Sequence, residues 1–286
     1  MNYTYIDTHA HVNINAFADD YAEVIERALQ GGVGHINVGT QFDTSKRCVE
    51  IAEQYEDGVY AVVGLHPIHT SASHHDEQEL GENAKSFTSR GEVFDAQNYR
   101  ELAKSKKVVG IGECGFDYYR LESDTHEKQE AAFIAQIELA NELELPLMIH
   151  TRDAKGNEAS ATSVQSVYDD TYAVLKQYAK VAGNIHFYAG TYEQAKRFFD
   201  IGFSVSFTGV ITFAESYHEV VKNAPLTMIH AETDCPYVAP KPYRGKRNEP
   251  LYVKEVYKKI AEIRGEDEEV VRAQLVENAL KLYRLG

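Results

Sequence analysis

The chain has 286 residues, 43% of them apolar, and 29 Lys plus Arg against 44 Asp plus Glu, a formal charge of −15. That length suits one barrel of typical size or two smaller domains, and the acidic balance excludes an overall surface that attracts polyanions, so a nucleic-acid role requires a local basic patch or bound cations. Cys48, Cys114 and Cys235 form no Cys-x-x-Cys pair and no disulfide framework; with no signal-peptide pattern and no apolar run near the roughly 18 residues of a spanning helix, a soluble cytoplasmic protein is expected.

Short apolar, β-branched runs alternate with longer amphipathic ones. The predicted strands are 3–7, 35–38, 60–64, 108–112, 147–150, 184–187, 203–206 and 227–231. Between them, apolar residues at three-to-four spacing predict helices over 20–29, 44–55, 127–142, 167–181, 191–201 and 215–223. The stretch 251–285, with Gly265 between two helical patterns, predicts a closing helical pair. Two segments poor in apolar residues, 67–90 and 155–166, read as insertions after strands three and five. Eight βα units in one α/β chain, with no linker or repeat, predict a single (β/α)8 TIM-type barrel over residues 1–286. An open dinucleotide-binding sheet would carry a Gly-rich turn after strand one, where this chain has His9-Ala10-His11.

The chemistry gathers at the strand ends. His9 and His11 lie two apart in extended backbone, which points both rings the same way. Twelve histidines in the chain make about half a His-x-His expected by chance, so the pair alone is weak. Glu113, His150, His186 and Asp234 also stand at or just after predicted strand ends, which a barrel brings to one mouth. Imidazoles and carboxylates together suit divalent cations, and a carboxylate such as Glu113 can bridge two of them. Two cations roughly 3.5–4 Å apart clamp the attacking and leaving oxygens of a phosphoester. Asp234 is placed to bind one cation and to accept a proton from an attacking water. The donor set does not separate zinc, manganese, magnesium, iron and cobalt, although imidazole suits magnesium poorly. Cys114 and Cys235, each following a predicted ligand, read as small packing residues.

The blocks Tyr5-Ile-Asp-Thr-His-Ala-His, Val63-Gly-Leu-His-Pro, Gly110-Ile-Gly-Glu-Cys-Gly-Phe-Asp-Tyr-Tyr, Leu145-Pro-Leu-Met-Ile-His-Thr-Arg-Asp-Ala, His186-Phe-Tyr-Ala-Gly, Glu232-Thr-Asp-Cys-Pro-Tyr and Arg247-Asn-Glu-Pro, in that order, resemble the TatD family of metal-dependent deoxyribonucleases, within the amidohydrolase-like barrels. The resemblance implies a binuclear site: His9 and His11 with Asp234 on one metal, Glu113 bridging, His150 and His186 on the other. It places His66 in the substrate pocket, and His66 and Arg152 become candidates to meet a phosphate oxygen. Lys241, Arg244, Lys246 and Arg247, all within seven residues, are candidates for flanking phosphates. The expected activity is hydrolysis of phosphodiester bonds in DNA, exonucleolytically, with no membrane or obligate protein partner. Hydrolysis of a small ester, amide or lactone on the same metals, and a non-catalytic metal-stabilised scaffold, are the alternatives. The block His186-Phe-Tyr-Ala-Gly departs from the His-Cys-Phe-Ser-Gly-like pattern of similar proteins, and the insertions lengthen loops at the mouth. Both departures bear on substrate preference rather than on the ligands.

Overall fold

A computed structural model describes residues 3–75, 87–89, 91–119, 125–154 and 166–285. In chain order the strands are β1 (Tyr5–Ala10), β2 (Val33–Val38) and β3 (Val59–Val63), a short antiparallel pair β4 (Ser73–His75) and β5 (Phe87–Ser89), then β6 (Val108–Asp117), β7 (Leu147–Arg152), β8 (Gly183–Ile185), β9 (Phe203–Phe207) and β10 (Ile229–Ala231). All but the β4–β5 pair form one parallel eight-stranded sheet in the order β1-β2-β3-β6-β7-β8-β9-β10. The sheet closes through the segment after β10: Asp234 N–H donates to the His9 carbonyl and His11 N–H to the Cys235 carbonyl, both at 2.9 Å. The Thr233 hydroxyl donates to the buried Asp7 carboxylate across the same seam. The fold is the TIM-type barrel that alternating βα units predict.

Helices cross between strands as α1 (Tyr21–Gln30), α2 (Phe42–Ala52), α3 (Ala96–Leu102), α4 (Thr125–Leu143), α5 (Val167–Tyr178), α6 (Tyr192–Asp200) and α7 (His218–Asn223). The closing pair is α8 (Val253–Arg264) and α9 (Glu268–Tyr283). Their ends have local causes. A Thr191–Gln194 capping box starts α6. Gly265, at φ 66°, stops α8 in the left-handed conformation that residues with a Cβ resist, and Asp267 caps the first N–H groups of α9.

Period-two alternation sorts the strand side chains into two cores. Val33, Val59, Ala61, Leu147, Ile149, Val205 and Ile229 pack outward beneath the helices. Ile6, Ile36, Val38, Tyr60, Val62, Val109 and Met148 pack inward, and Ala279, Tyr283 and Leu285 from the end of the chain complete that inner cluster. Each fully buried aliphatic side chain contributes about 1.5–3 kcal/mol, so α9 is part of the barrel rather than an appendage. Among the described residues no helix is long and apolar enough to cross a membrane.

Sequence periodicity ends the fourth barrel strand at Gly112, whereas β6 runs on to Asp117. Small residues hide the continuation. Gly115 is required because a Cβ there would lie 2.1 Å from the His150 carbonyl, and its φ of 139° is one that L side chains rarely adopt. Helix α3 went unpredicted because only Tyr99 is buried along its polar sequence, leaving no apolar stripe to read. Within the 67–90 insertion, Pro67–Thr70 forms a 3-10 turn and β4 pairs with β5; positions 76–86 and 90, like 155–165 of the second insertion, lie outside the described residues.

Candidate metal centre

The barrel brings all six sequence-selected residues to one buried cradle. His9 is the penultimate residue of β1 and His11 follows the strand; His150 lies near the end of β7; His186 and Asp234 follow β8 and β10. Glu113 is not at a strand end. It lies inside β6, where the pairing with β7 slips register between Ile111 and Cys114, and the slip turns its carboxylate into the mouth.

The two oxygens of Glu113 face different histidines. Oε1 lies 2.7 Å from His186 Nε2 and 2.8 Å from His150 Nδ1. Oε2 lies 3.5 Å from His9 Nε2 and 3.8 Å from His11 Nε2. Asp234 Oδ1 approaches the same two nitrogens, at 3.7 and 3.4 Å.

Hydrogen bonds fix which ring nitrogens carry protons. The Val38 carbonyl can only accept, so His11 Nδ1 donates to it at 2.9 Å and the His11 Nε2 lone pair turns inward. His150 Nε2 faces Asp117 Oδ2 at 3.1 Å, which leaves Nδ1 toward Glu113. His186 Nδ1 also faces a carboxylate, Glu232 Oε1, at an ion-pair distance of 3.5 Å. Imidazoles backed by carboxylates in this way are oriented for metal binding. His66 is opposite in polarity: its Nδ1 accepts from Ile68 N–H at 3.1 Å, so the neutral ring carries its proton on Nε2, 3.4 Å from Glu113 Oε1.

Burial alone would raise the Glu113 carboxyl, but the facing His186, His66 and His9 outweigh it and hold it well below the usual range. Burial would likewise raise Asp234, and the facing imidazoles of His11 and His9 keep it low. Burial would lower His186, yet Glu113 and then Glu232 push it well above the ordinary histidine value. For His150, Asp117 and Glu113 overcome burial in the same direction. His9 moves the other way, pushed down by burial and by His186 beside it. Burial, with His150 next to it, pushes His66 down to about 4.

These residues fit divalent cations. Bonds of about 2.0–2.2 Å to nitrogen and oxygen put neighbouring ligand atoms about 3 Å apart, and His9 Nε2 lies 3.0 Å from His11 Nε2 while His150 Nδ1 lies 3.2 Å from His186 Nε2. Donor atoms cluster in the sets His9/His11/Asp234 and Glu113/His150/His186, with His66/Asp117/His150 and His9/His186/Glu232 alongside. Among the described residues the buried Nδ1 atoms of His9 and His186 make no hydrogen bond. Cys114 and Cys235 are buried, burial raises both thiols, and neither joins a donor set.

Two other predicted contacts are placed differently. The Arg152 guanidinium lies over the Tyr119 ring, 4.0 Å from its centroid. Arg247 is bound to Asp20 through both terminal nitrogens and to the Ala16 carbonyl at 2.7 Å, and so ties the loop after β10 to the start of α1. Sequence reasoning missed Asp117, Glu232 and Asp7. Glu113, Gly115 and Asp117 alternate along β6, a signal available once that strand is read past Gly112. Glu232 accepts from Phe187 N–H and Ser206 Oγ, each at 2.6 Å, and Asp7 accepts from Thr233 N–H at 2.8 Å.

The sequence profile of the family described as TatD related DNase matches residues 6–284. The chain belongs to that family. A relative in Bacillus subtilis (strain 168), described as a metal-dependent hydrolase, YabD, is 37% identical over 98% of this chain and 99% of its own length. A Pantoea ananatis protein named 3'-5' ssDNA/RNA exonuclease TatD is 32% identical over 98% of this chain and 99% of its own. The crystal structure of YJJV, a TatD homologue from Escherichia coli K12, superposes with a TM-score of 0.78 at 25% identity, covering both chains fully. The protein is therefore a TatD-family metal-dependent hydrolase.

Proposed function

We propose that the protein is a deoxyribonuclease, cleaving phosphodiester bonds exonucleolytically at a binuclear site, as one catalytic domain over residues 1–286. The observation that carries this reading is the division of the Glu113 carboxylate, Oε1 toward His150 and His186 and Oε2 toward His9 and His11. In it, His9, His11 and Asp234 would hold one divalent cation and His150 and His186 the other, with Glu113 shared between them. Such cations supply a Lewis acid for the phosphoryl oxygens and a lowered pKa for the attacking water. The name carried by the Pantoea relative supports nucleic acid as the substrate class.

The remaining chemistry falls to the chain. Asp234 has a side-chain exposure of 13% against 3% for Glu113, so it is the carboxylate of the pair that a water can reach. Being ionised, it takes the proton of the attacking water. His66, neutral and with its proton on Nε2, donates to a phosphate oxygen from within the cradle. Arg152, stacked on Tyr119 at the end of β7, offers charge to a phosphate farther out. Buried free thiols suit a reducing cytoplasm.

The test is to incubate the metal-loaded protein with end-labelled single- and double-stranded DNA, and with a panel of small esters and lactams, each with and without chelator. Stepwise loss of nucleotides from DNA, abolished by chelator, is the expected outcome. Turnover confined to the small-molecule panel would reverse the substrate assignment.

A further inference from the structure

The loop after β10 carries the densest group of cations in an acidic chain: Lys241, Arg244, Lys246 and Arg247 are all exposed. Arg247 is held by Asp20. Among the described residues the other three have no carboxylate partner: Arg244 donates to the Ala239 carbonyl at 3.2 Å, and the Lys246 ammonium lies 5.9 Å from the Tyr243 ring centroid. The loop begins and ends beside Asp234, because Asn248 Nδ2 donates to the Thr233 and Tyr237 carbonyls at 2.9 and 2.7 Å. At its neck the Tyr237 ring lies 6.5 Å from the His11 ring. The cations are thus fixed at the mouth, on the Asp234 side of the cradle.

An aromatic plate lies among them. The Arg244 guanidinium sits over Phe213, 4.1 Å from the ring centroid, and Phe213 keeps 39% of its surface exposed, one of three exposed large apolar residues among those described. Phe213 comes from the loop after β9, which is locked to the basic loop. Lys241 N–H donates to Thr212 Oγ1 at 3.0 Å, and Gly209 runs so close that a Cβ there would lie 2.6 Å from the Val238 carbonyl. An exposed ring capped by a guanidinium, with unpaired ammonium groups beside it, has the two elements that single-stranded nucleic acid uses: faces for bases and positive charge for the backbone. A duplex hides its base faces, so it would use only the charge.

We propose that Phe213, Lys241, Arg244 and Lys246 form a track that receives the nucleotides flanking the cleaved bond of a single strand, the Phe213–Arg244 plate stacking on a base and the lysines meeting phosphates. The track rests on the nuclease reading given above and names its substrate as single-stranded.

The test uses the full-length protein in chelator, so that nothing is cleaved, and fluorescence anisotropy with a fluorescein-labelled oligothymidylate titrated over a range of salt. Each phosphate contact to a single strand contributes about 0.7 to the slope of log affinity against log salt. The triple variant Lys241→Ala/Arg244→Ala/Lys246→Ala should therefore lose about 1.4 from that slope, the share of its two lysines. Phe213→Ala should weaken binding about tenfold with the slope kept, the signature of a lost stack. A control of equal charge change away from the mouth, Lys176→Ala/Lys180→Ala/Lys258→Ala, should keep the wild-type slope, and thermal unfolding checks that every variant folds. An unaltered slope in the triple variant, an equal loss in the control, tighter binding of duplex than of single strand, or no binding by the wild type would each overturn the track. Cleavage by the metal-loaded wild type is scored separately. If DNA is cleaved but the triple variant binds as before, only the track fails; if the variant loses binding but no DNA is cleaved in any metal, the nuclease reading fails and the track stands.

Discussion

On its Oε1 side Glu113 meets His150 and His186 at 2.8 and 2.7 Å, and each of those rings has a buried carboxylate behind it, Asp117 and Glu232. On its Oε2 side the distances to His9 and His11 open to 3.5 and 3.8 Å, His11 is oriented by a backbone carbonyl, and among the described residues no carboxylate is paired with His9 Nδ1. The difference teaches that one half of the cradle is arranged by its own ionic network, while the other half relies on Asp234 and on whatever cation it binds. Paired buried charge is costly to leave unpaired, so the two halves should respond differently to the same kind of damage.

The largest effect is expected at the shared group. Glu113→Gln weakens both halves at once, and DNA cleavage should fall by about 10³-fold or more, in the range lost when transition-state charge stabilisation is removed. A fall in steady-state rate with loss of both metal equivalents by elemental analysis is expected; retention of both equivalents would break the comparison. Asp234→Asn should cost about 10²–10³-fold in kcat, because a proton acceptor is lost, while the half backed by Asp117 and Glu232 keeps its metal. Loss of metal from both halves would show that they are not separate.

Asp117→Asn and Glu232→Gln should each cost about 10–100-fold in metal affinity or rate, the usual range for groups that orient a ligand. The loss should be confined to the His150/His186 half, read from the stoichiometry in competition with a chromophoric chelator. The pH dependence of binding sharpens the contrast. Carboxylates raise the His150 and His186 values above the ordinary 6.5, so in the metal-free protein those rings still hold protons at pH 6.5 that a cation must displace. In the other half His9 is lowered from that value by burial and only His11, facing Asp234, is raised, so fewer protons are displaced there. Apparent affinity at the His150/His186 half should rise as pH increases above 6.5, with proton release measurable by calorimetry in buffers of different ionisation enthalpy; binding independent of pH would contradict the assignment. The smallest effect is expected far from both halves. Asp20→Asn breaks an exposed pair with Arg247 and should shift stability by about 0.5 kcal/mol, measured by urea unfolding, with cleavage unchanged.

The sequence was most legible where repetition spoke. Alternating βα units announced the barrel, and His9, His11, Glu113, His150, His186 and Asp234 could be selected because a barrel sends strand ends to one mouth. Asp117 was harder to read because Gly112 and Gly115 interrupt the apolar run that marks a strand, although the backbone continues extended through them. Glu232 stands two residues from Asp234, and nothing in its spacing says that it turns to His186 and Ser206 instead. Arg247 shows the reverse failure: a charge run looks uniform in sequence, and only packing reveals that one of its four cations is already paired.

The most direct test of the account is a crystal of the protein grown with manganese, with anomalous scattering measured around Glu113. Two peaks about 3.5–4 Å apart are predicted, one against Oε1 between His150 and His186 and one against Oε2 beside His9, His11 and Asp234. A single peak, or peaks that leave either oxygen of Glu113 without a metal, would contradict the bridging role on which the proposed chemistry stands.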